Sequence, residues 1–257
     1  MQATTIDEVL KFLDQIIKTS RAESSRMGYF AALYRKVTAE VKKKIKQNYF
    51  DDNERMEKLD VIFANRYLAA YSDYRDGKPV THSWRVAFEA AGEWRPIVLQ
   101  HLLVGMNAHI NLDLGIAAAE VAPSKAAYDS LKDDFNRINT ILANLVNGVK
   151  DELAQIWPLL RLINFVAGGA EDAIINFSME IARDGARGFG EELTPLNSAE
   201  REAHIKRRDD EMALLGEVVT HPPLLTSIVL FIVRIGERGN TAQRIDILSG
   251  LDVLLLD

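Results

Sequence analysis

The chain has 257 residues, 31 Lys and Arg against 37 Asp and Glu for a formal net charge of -6, 47% hydrophobic residues and no cysteine. These are the proportions of a globular protein, and they exclude disordered, collagen-like and fibrous classes. The missing cysteine removes disulfides, thiolate nucleophiles and cysteine-based metal sites, and the acidic balance argues against a nucleic-acid partner.

Helical periodicity runs through the chain. Thr5-Ile-Asp-Glu8 has the capping-box pattern, and Val9, Leu10, Leu13, Ile16 and Ile17 continue it as an apolar stripe. A second helix is predicted over 23–47, with Lys42, Lys43 and Lys44 at its negative pole. A third spans 53–75 and stops at Gly77-Lys-Pro79. A short helix follows near 83–92, then a long apolar one over 96–119, and Pro123-Ser124 opens another that continues to Val149. Further helices are predicted over 152–166, broken at Gly168-Gly169, then 170–193 and 198–221, and finally two apolar segments at 224–236 and 241–255. Period-2 alternation is almost absent. The expected fold is a single all-α domain over residues 1–257, built round the helix at 96–119.

No signal peptide is visible at the N-terminus, and the apolar run from Pro222 to Val233 is shorter than the roughly 20 residues a bilayer span needs. The stretch from Pro96 to Ala119 is long enough but carries too many polar groups for a lipid-facing helix. The expectation is a cytoplasmic protein with no membrane and no nucleic acid as partner.

Between Arg95 and Glu120 the only formally charged side chain is Asp113, yet His101, Asn107, His109 and Asn111 also interrupt the apolar sequence. A helix apolar all round is normally central and buried, so these groups need partners; each left unpaired would cost about 1–3 kcal/mol. His109 and Asp113 are i,i+4 neighbours on one face, Asn107 and Asn111 on a roughly opposite one. Gly105 leaves room between the two histidines. Arg66 falls within the apolar stripe of Leu59, Ile62, Phe63, Tyr67 and Ala70, so it too needs an acceptor, and Asp113 is the nearest in chemical type. Asp134 and Asn139 could join the same polar interior.

Three readings stand side by side. In the first, His109 and Asp113, with His101, hold one divalent metal (zinc, iron or manganese) whose bound water serves a hydrolase. His101 lies two turns, roughly 12 Å, from His109, so it frames the site more naturally than it shares an ion. In the second, the pocket is metal-free: His109 and Asp113 act as general base and orienter, His101 as a second base, and Arg66, Asn107, Asn111 and Asp134 bind a small molecule. In the third the same residues are a hydrogen-bond network that fixes helix register. An apolar-ligand pocket without catalysis, and a homo-oligomer joined through the C-terminal apolar segments, belong with the non-enzymatic readings.

Other patterns are weaker. The Glu-x-x-His pairs of di-iron bundles are missing; Glu200 with His204 and Glu217 with His221 are spaced i,i+4. Gly185-Ala-Arg-Gly-Phe-Gly190 has no strand before it and reads as a helix irregularity rather than a dinucleotide loop. Trp84 and Phe88 read as core anchors, and Tyr67, Tyr71 and Tyr74 as a core edge.

The run His101-Leu-Leu-Val-Gly-Met-Asn-Ala-His-Ile-Asn-Leu-Asp-Leu114 resembles the signature of a family of uncharacterised, mostly bacterial, all-helical proteins, classed as a domain of unknown function. The resemblance extends to Trp84-Arg-Val-Ala-Phe88 and to Asp134-Phe-Asn-Arg-Ile-Asn139. It implies one domain centred on the 96–119 helix and carries no activity, cofactor or catalytic residue with it.

Overall fold

The computed structural model describes residues 1–157 and 179–250. Its helices are α1 (Ile6–Ala22), α2 (Met27–Lys46), α3 (Asn53–Arg75), α4 (His82–Gly92) and α5 (Val98–Ala108), then a π-helical turn (His109–Leu114) that leads into α6 (Gly115–Val121). After these come α7 (Lys125–Ser130), α8 (Lys132–Ile156), α9 (Met179–Leu193), α10 (Ser198–Thr220), α11 (Leu224–Gly236) and α12 (Thr241–Leu248). No strand occurs among the described residues, so the fold is all-α. The predicted 152–166 and 170–193 helices fall partly, and the tail 251–257 wholly, outside the described residues.

Local chemistry sets the helix ends. Thr5 accepts from the Glu8 amide at 3.2 Å, Asp52 from that of Arg55 at 3.0 Å, and Asn240 from that of Gln243 at 2.9 Å, each satisfying an amide that the helix itself cannot. Asn197 caps α10 and receives the return bond from Glu200 to its own amide, a complete capping box. The single helix predicted from 124 onward is two, because Leu131 interrupts it.

The rod from Val98 to Val121 is the axis of the fold. It is long and apolar enough to cross a membrane, and 94% of its most apolar window is buried inside the protein. α2, α4 and α10 pack against α5, and α3 and α9 against the π turn and α6. The close crossing of α6 and α9 depends on two glycines: a Cβ at Gly115 would stand 2.7 Å from the Ala186 carbonyl oxygen, and one at Gly190 2.7 Å from that of Gly115. The glycines at 185–190 thus sit inside continuous helix, and of them Gly190 serves helix-on-helix contact, while Gly188 has nothing within 4 Å.

α11 is buried through Leu230, Val233 and Arg234, whereas Leu224, Leu225, Ile228, Phe231, Ile232 and Ile235 are exposed. Of the two segments that the sequence assigns to a second copy, 224–236 thus leaves an apolar face exposed, whereas in 241–255 Ile245 and Leu248 are buried within the chain and 251–255 lie outside the described residues.

Candidate functional site

The predicted 96–119 helix is continuous in direction but not in hydrogen bonding. From His109 to Leu114 it widens into a π turn, and both His109 and Asp113 lie on that turn. Arg208 of α10 reaches in, its Nε donating to the Asn111 carbonyl at 3.1 Å. A side chain bonded into the backbone ladder is one recognised cause of such irregularity, and π turns are frequent where proteins bind or react.

Asp113 is the hub. Its Oδ1 accepts from Arg66 Nε at 2.6 Å, and its Oδ2 accepts from the Trp84 indole N–H at 2.8 Å and faces His109 Nδ1 at 3.3 Å. The partner proposed for Arg66 from its position on the α3 stripe is the one it has. Burial alone would push the Asp113 carboxyl up, but the Arg66 guanidinium, His109 and the Trp84 N–H outweigh it and hold the group below its ordinary range. Burial also lowers the His109 pKa, with Asp113 opposing and Arg66 adding to the effect. At neutral pH the pair is therefore a carboxylate and a neutral imidazole. Asp113 draws the imidazole proton to Nδ1, which leaves a lone pair on Nε2.

That Nε2 is buried and has no hydrogen-bond partner among the described residues. Around the ring stand five aromatic side chains. Phe63 stacks on it at 3.6 Å with planes 7° apart, Tyr34 meets it edge-on at 4.5 Å, and Phe30, Trp84 and Tyr67 lie within 6.0 Å. The Tyr67 hydroxyl, also buried, has no hydrogen-bond partner among the described residues either. His109 itself is 2% exposed, whereas the Arg66 side chain is 28% exposed. Of the ion pair at the cluster, Arg66 on α3 is thus the side chain that reaches solvent.

The two histidines of the central helix do not share a pocket. The His101 ring meets Tyr29 edge-on at 5.7 Å, while Phe30 meets His109 at the same distance. Consecutive residues of α2 project about 100° apart, so each takes a different histidine. The space left by Gly105 is filled by Phe30, whose ring would stand 2.7 Å from a Cβ there. It is not free for a ligand.

Asn107 and Asn111 form a separate tie. Asn111 Nδ2 donates to Asn107 Oδ1 at 2.9 Å, and Asn107 Nδ2 donates to the Met212 carbonyl of α10 at 2.6 Å. Asp134 stands apart from the central pair. It accepts from the Asp51 and Asp52 amides at 2.8 and 3.3 Å and from Arg55 and Arg137, both at 2.9 Å, so its oxygens are occupied in anchoring the α2–α3 turn to α8. Asn139 falls outside the described side chains. A cavity of about 240 Å³ lined by Tyr128, Asp129, Lys132, Phe135, Arg187 and Glu191 contains none of the predicted site residues.

The donor set does not suit a divalent metal. Among the described residues no three His, Asp or Glu side chains come together as ligands, and the Arg66 guanidinium already occupies the cation's position beside Asp113. Trp84 and Phe63 are the partners that sequence reasoning did not assign to the site. Both were visible only as apolar residues at helical spacing.

Comparison with curated proteins and with solved structures finds no match. The profile of a family described as a family of unknown function, DUF5995, matches residues 6–222. That span takes in α1 through α10, including Arg66, Trp84, His109 and Asp113, and the chain belongs to this family.

Proposed function

We propose that the His109 cluster is an acid–base pocket for a small molecule bearing an anionic group, with hydrolysis as the reaction class. The observation that carries this reading is the buried, unpartnered Nε2 of an imidazole whose Nδ1 faces a carboxylate. An isolated buried acceptor costs about 1–3 kcal/mol, and a carboxylate on the far nitrogen is the arrangement that makes Nε2 a general base. In this reading Asp113 orients and polarises the ring, and His109 Nε2 takes a proton from the attacking water. Arg66, with one nitrogen on Asp113 and its head part-exposed, receives the anionic group. The aromatic rings round His109 keep bulk water from the base.

The test is turnover of p-nitrophenyl acetate and p-nitrophenyl phosphate by the purified chain beside H109Q, D113N and R66Q, with diethylpyrocarbonate modification of His109 read by mass spectrometry. Turnover lost in a folded H109Q variant supports the reading. No turnover on either ester, together with a His109 that diethylpyrocarbonate does not modify, overturns it. That result would favour a core network, for which the 2% exposure of His109 and its five aromatic neighbours already speak.

A further inference from the structure

α11 is apolar on both of its faces. One face is inside the chain, where Leu230 and Val233 pack with Ile97 and Trp157. The opposite face carries Leu225, Ile228, Ile232 and Ile235, which are 80%, 52%, 64% and 64% exposed. A helix that is hydrophobic all round belongs between two layers, and here the second layer is missing from the single chain. With Phe231 and Trp94, whose rings meet edge-on at 6.1 Å, the exposed face extends beyond the helix itself. It presents apolar surface on the order of 800 Å². That exceeds the largest patch of a typical monomer and matches one side of a standard protein interface.

The spacing of the four stripe residues says what kind of surface fits. They stand three, four and three residues apart, the a/d seam of a helix that packs against another helix. The seam is also symmetric about position 230. Turned end for end, it sets Leu225 against Ile235 and Ile228 against Ile232, so a reversed copy of α11 matches it layer for layer. The ends carry opposite charge. Glu217 and Glu93 both stand by His221, just before α11, at 3.2 and 3.5 Å. Arg238, just after it, has no carboxylate within ion-pair distance among the described residues. An antiparallel pair therefore brings acidic end to basic end, and opposes the two helix dipoles favourably. A lipid surface fits less well. Interfacial helices carry Lys and Arg around the apolar face, whereas the one cation of α11, Arg234, is buried and paired with Glu237 at 2.9 Å.

We infer that α11 is a dimerisation helix, which packs antiparallel on α11 of a second copy of this chain through Leu225, Ile228, Ile232 and Ile235. The same patch serves both subunits, as a two-fold axis through the middle of the helix requires. No residue of the His109 cluster takes part, so the inference stands apart from the acid–base reading.

The experiment is analytical ultracentrifugation of the full chain from about 1 to 100 µM, beside I232E. Ile232 is exposed in the single chain, so the variant should keep the parent's circular dichroism while its dimer dissociation constant rises at least about a hundredfold. Because the chain has no cysteine, introduced thiols report the register. Oxidised with copper phenanthroline, I228C mixed with I232C should crosslink, and so should L225C mixed with I235C. L225C alone should not, because its copies lie about 15 Å apart along an antiparallel pair. A monomer at every concentration overturns the inference, whether α11 is then covered by another part of the chain or binds phosphatidylcholine vesicles. So does a dimer unchanged in folded I232E, or one in which L225C crosslinks to itself.

Discussion

Arg66 Nε and Asp113 Oδ1 meet at 2.6 Å, bringing α3 and the π turn together through one charged bond. The two partners are unequally buried, with side-chain exposures of 28% and 1%, and the asymmetry has a consequence. R66M would leave a carboxylate in the core without its cation, at a cost of roughly 3–5 kcal/mol. D113N frees an arginine that can turn to water and keeps an acceptor for Trp84, so it should cost about 1–3 kcal/mol. R66M should then cost much less in the D113N background than in the parent. Urea unfolding of the four proteins measures this; equal costs in both backgrounds would show that the two residues are not coupled.

Gly105 gives a second test. Replacing a mid-helix glycine with alanine ordinarily gains about 1 kcal/mol, but here the new methyl would meet the Phe30 ring at 2.7 Å. Phe30 also contacts His109, Tyr34, Tyr67 and Trp84, so it cannot yield without disturbing the cluster. G105A should therefore destabilise by about 1–3 kcal/mol, and F30L should relieve part of that. G92A, at a position with nothing within 4 Å, serves as the control and should be close to neutral. A neutral or stabilising G105A would mean that the ring moves freely.

How much of this was readable beforehand differs residue by residue. Arg66 was legible because an arginine inside an apolar stripe must find an acceptor, and Asp113 because it is the one charge in a long apolar run. The π turn was not, since it involves Arg208, which arrives from α10, nearly a hundred residues later. His101 and His109 share a face of an ideal helix, and only the divergence of Tyr29 and Phe30 on α2 separates them. Asp134 looked like an interior carboxylate and is one, but its partners come from the α2–α3 turn, the first turn of α3 and its own helix. Caps supplied across the fold, by Asp209 to α4 and Glu237 to α5, leave no local signature at all.

The Asp209 cap can be tested directly. Its carboxylate, on α10, accepts from the His82 amide at 2.6 Å, the Ser83 amide at 2.8 Å and the Ser83 hydroxyl at 2.7 Å. Thr81, the residue in the N-cap position of α4, makes no side-chain cap bond, so Asp209 does that work. D209A should cost about 1–2 kcal/mol and should speed amide exchange selectively over the first turn of α4. Uniform acceleration across the whole chain would instead mark Asp209 as a global packing residue.

The pH dependence of stability should carry two opposed contributions. Burial, with Glu57 adding to it, raises the Asp60 pKa from 3.8 to about 7; one of its oxygens is buried without a hydrogen-bond partner. A raised folded-state pKa gives stability that is full below about pH 4 and is lost as pH climbs towards 7. His101 runs the other way. Its pKa falls from 6.5 to about 3, so its contribution is full above about pH 6.5 and disappears as pH drops towards 3. The windows overlap, and the parent should therefore show a shallower profile between pH 4 and 6.5 than either group alone would give. D60N removes the loss on the alkaline side, so its stability relative to the parent should grow as pH rises from 4 to 7, by an amount on the order of a few kcal/mol. H101N should do the reverse, gaining on the parent as pH falls below 6. Denaturant titrations at half-unit pH steps separate the two. If D60N tracks the parent at constant offset across the range, Asp60 is ionised in the fold and its burial is compensated by a partner.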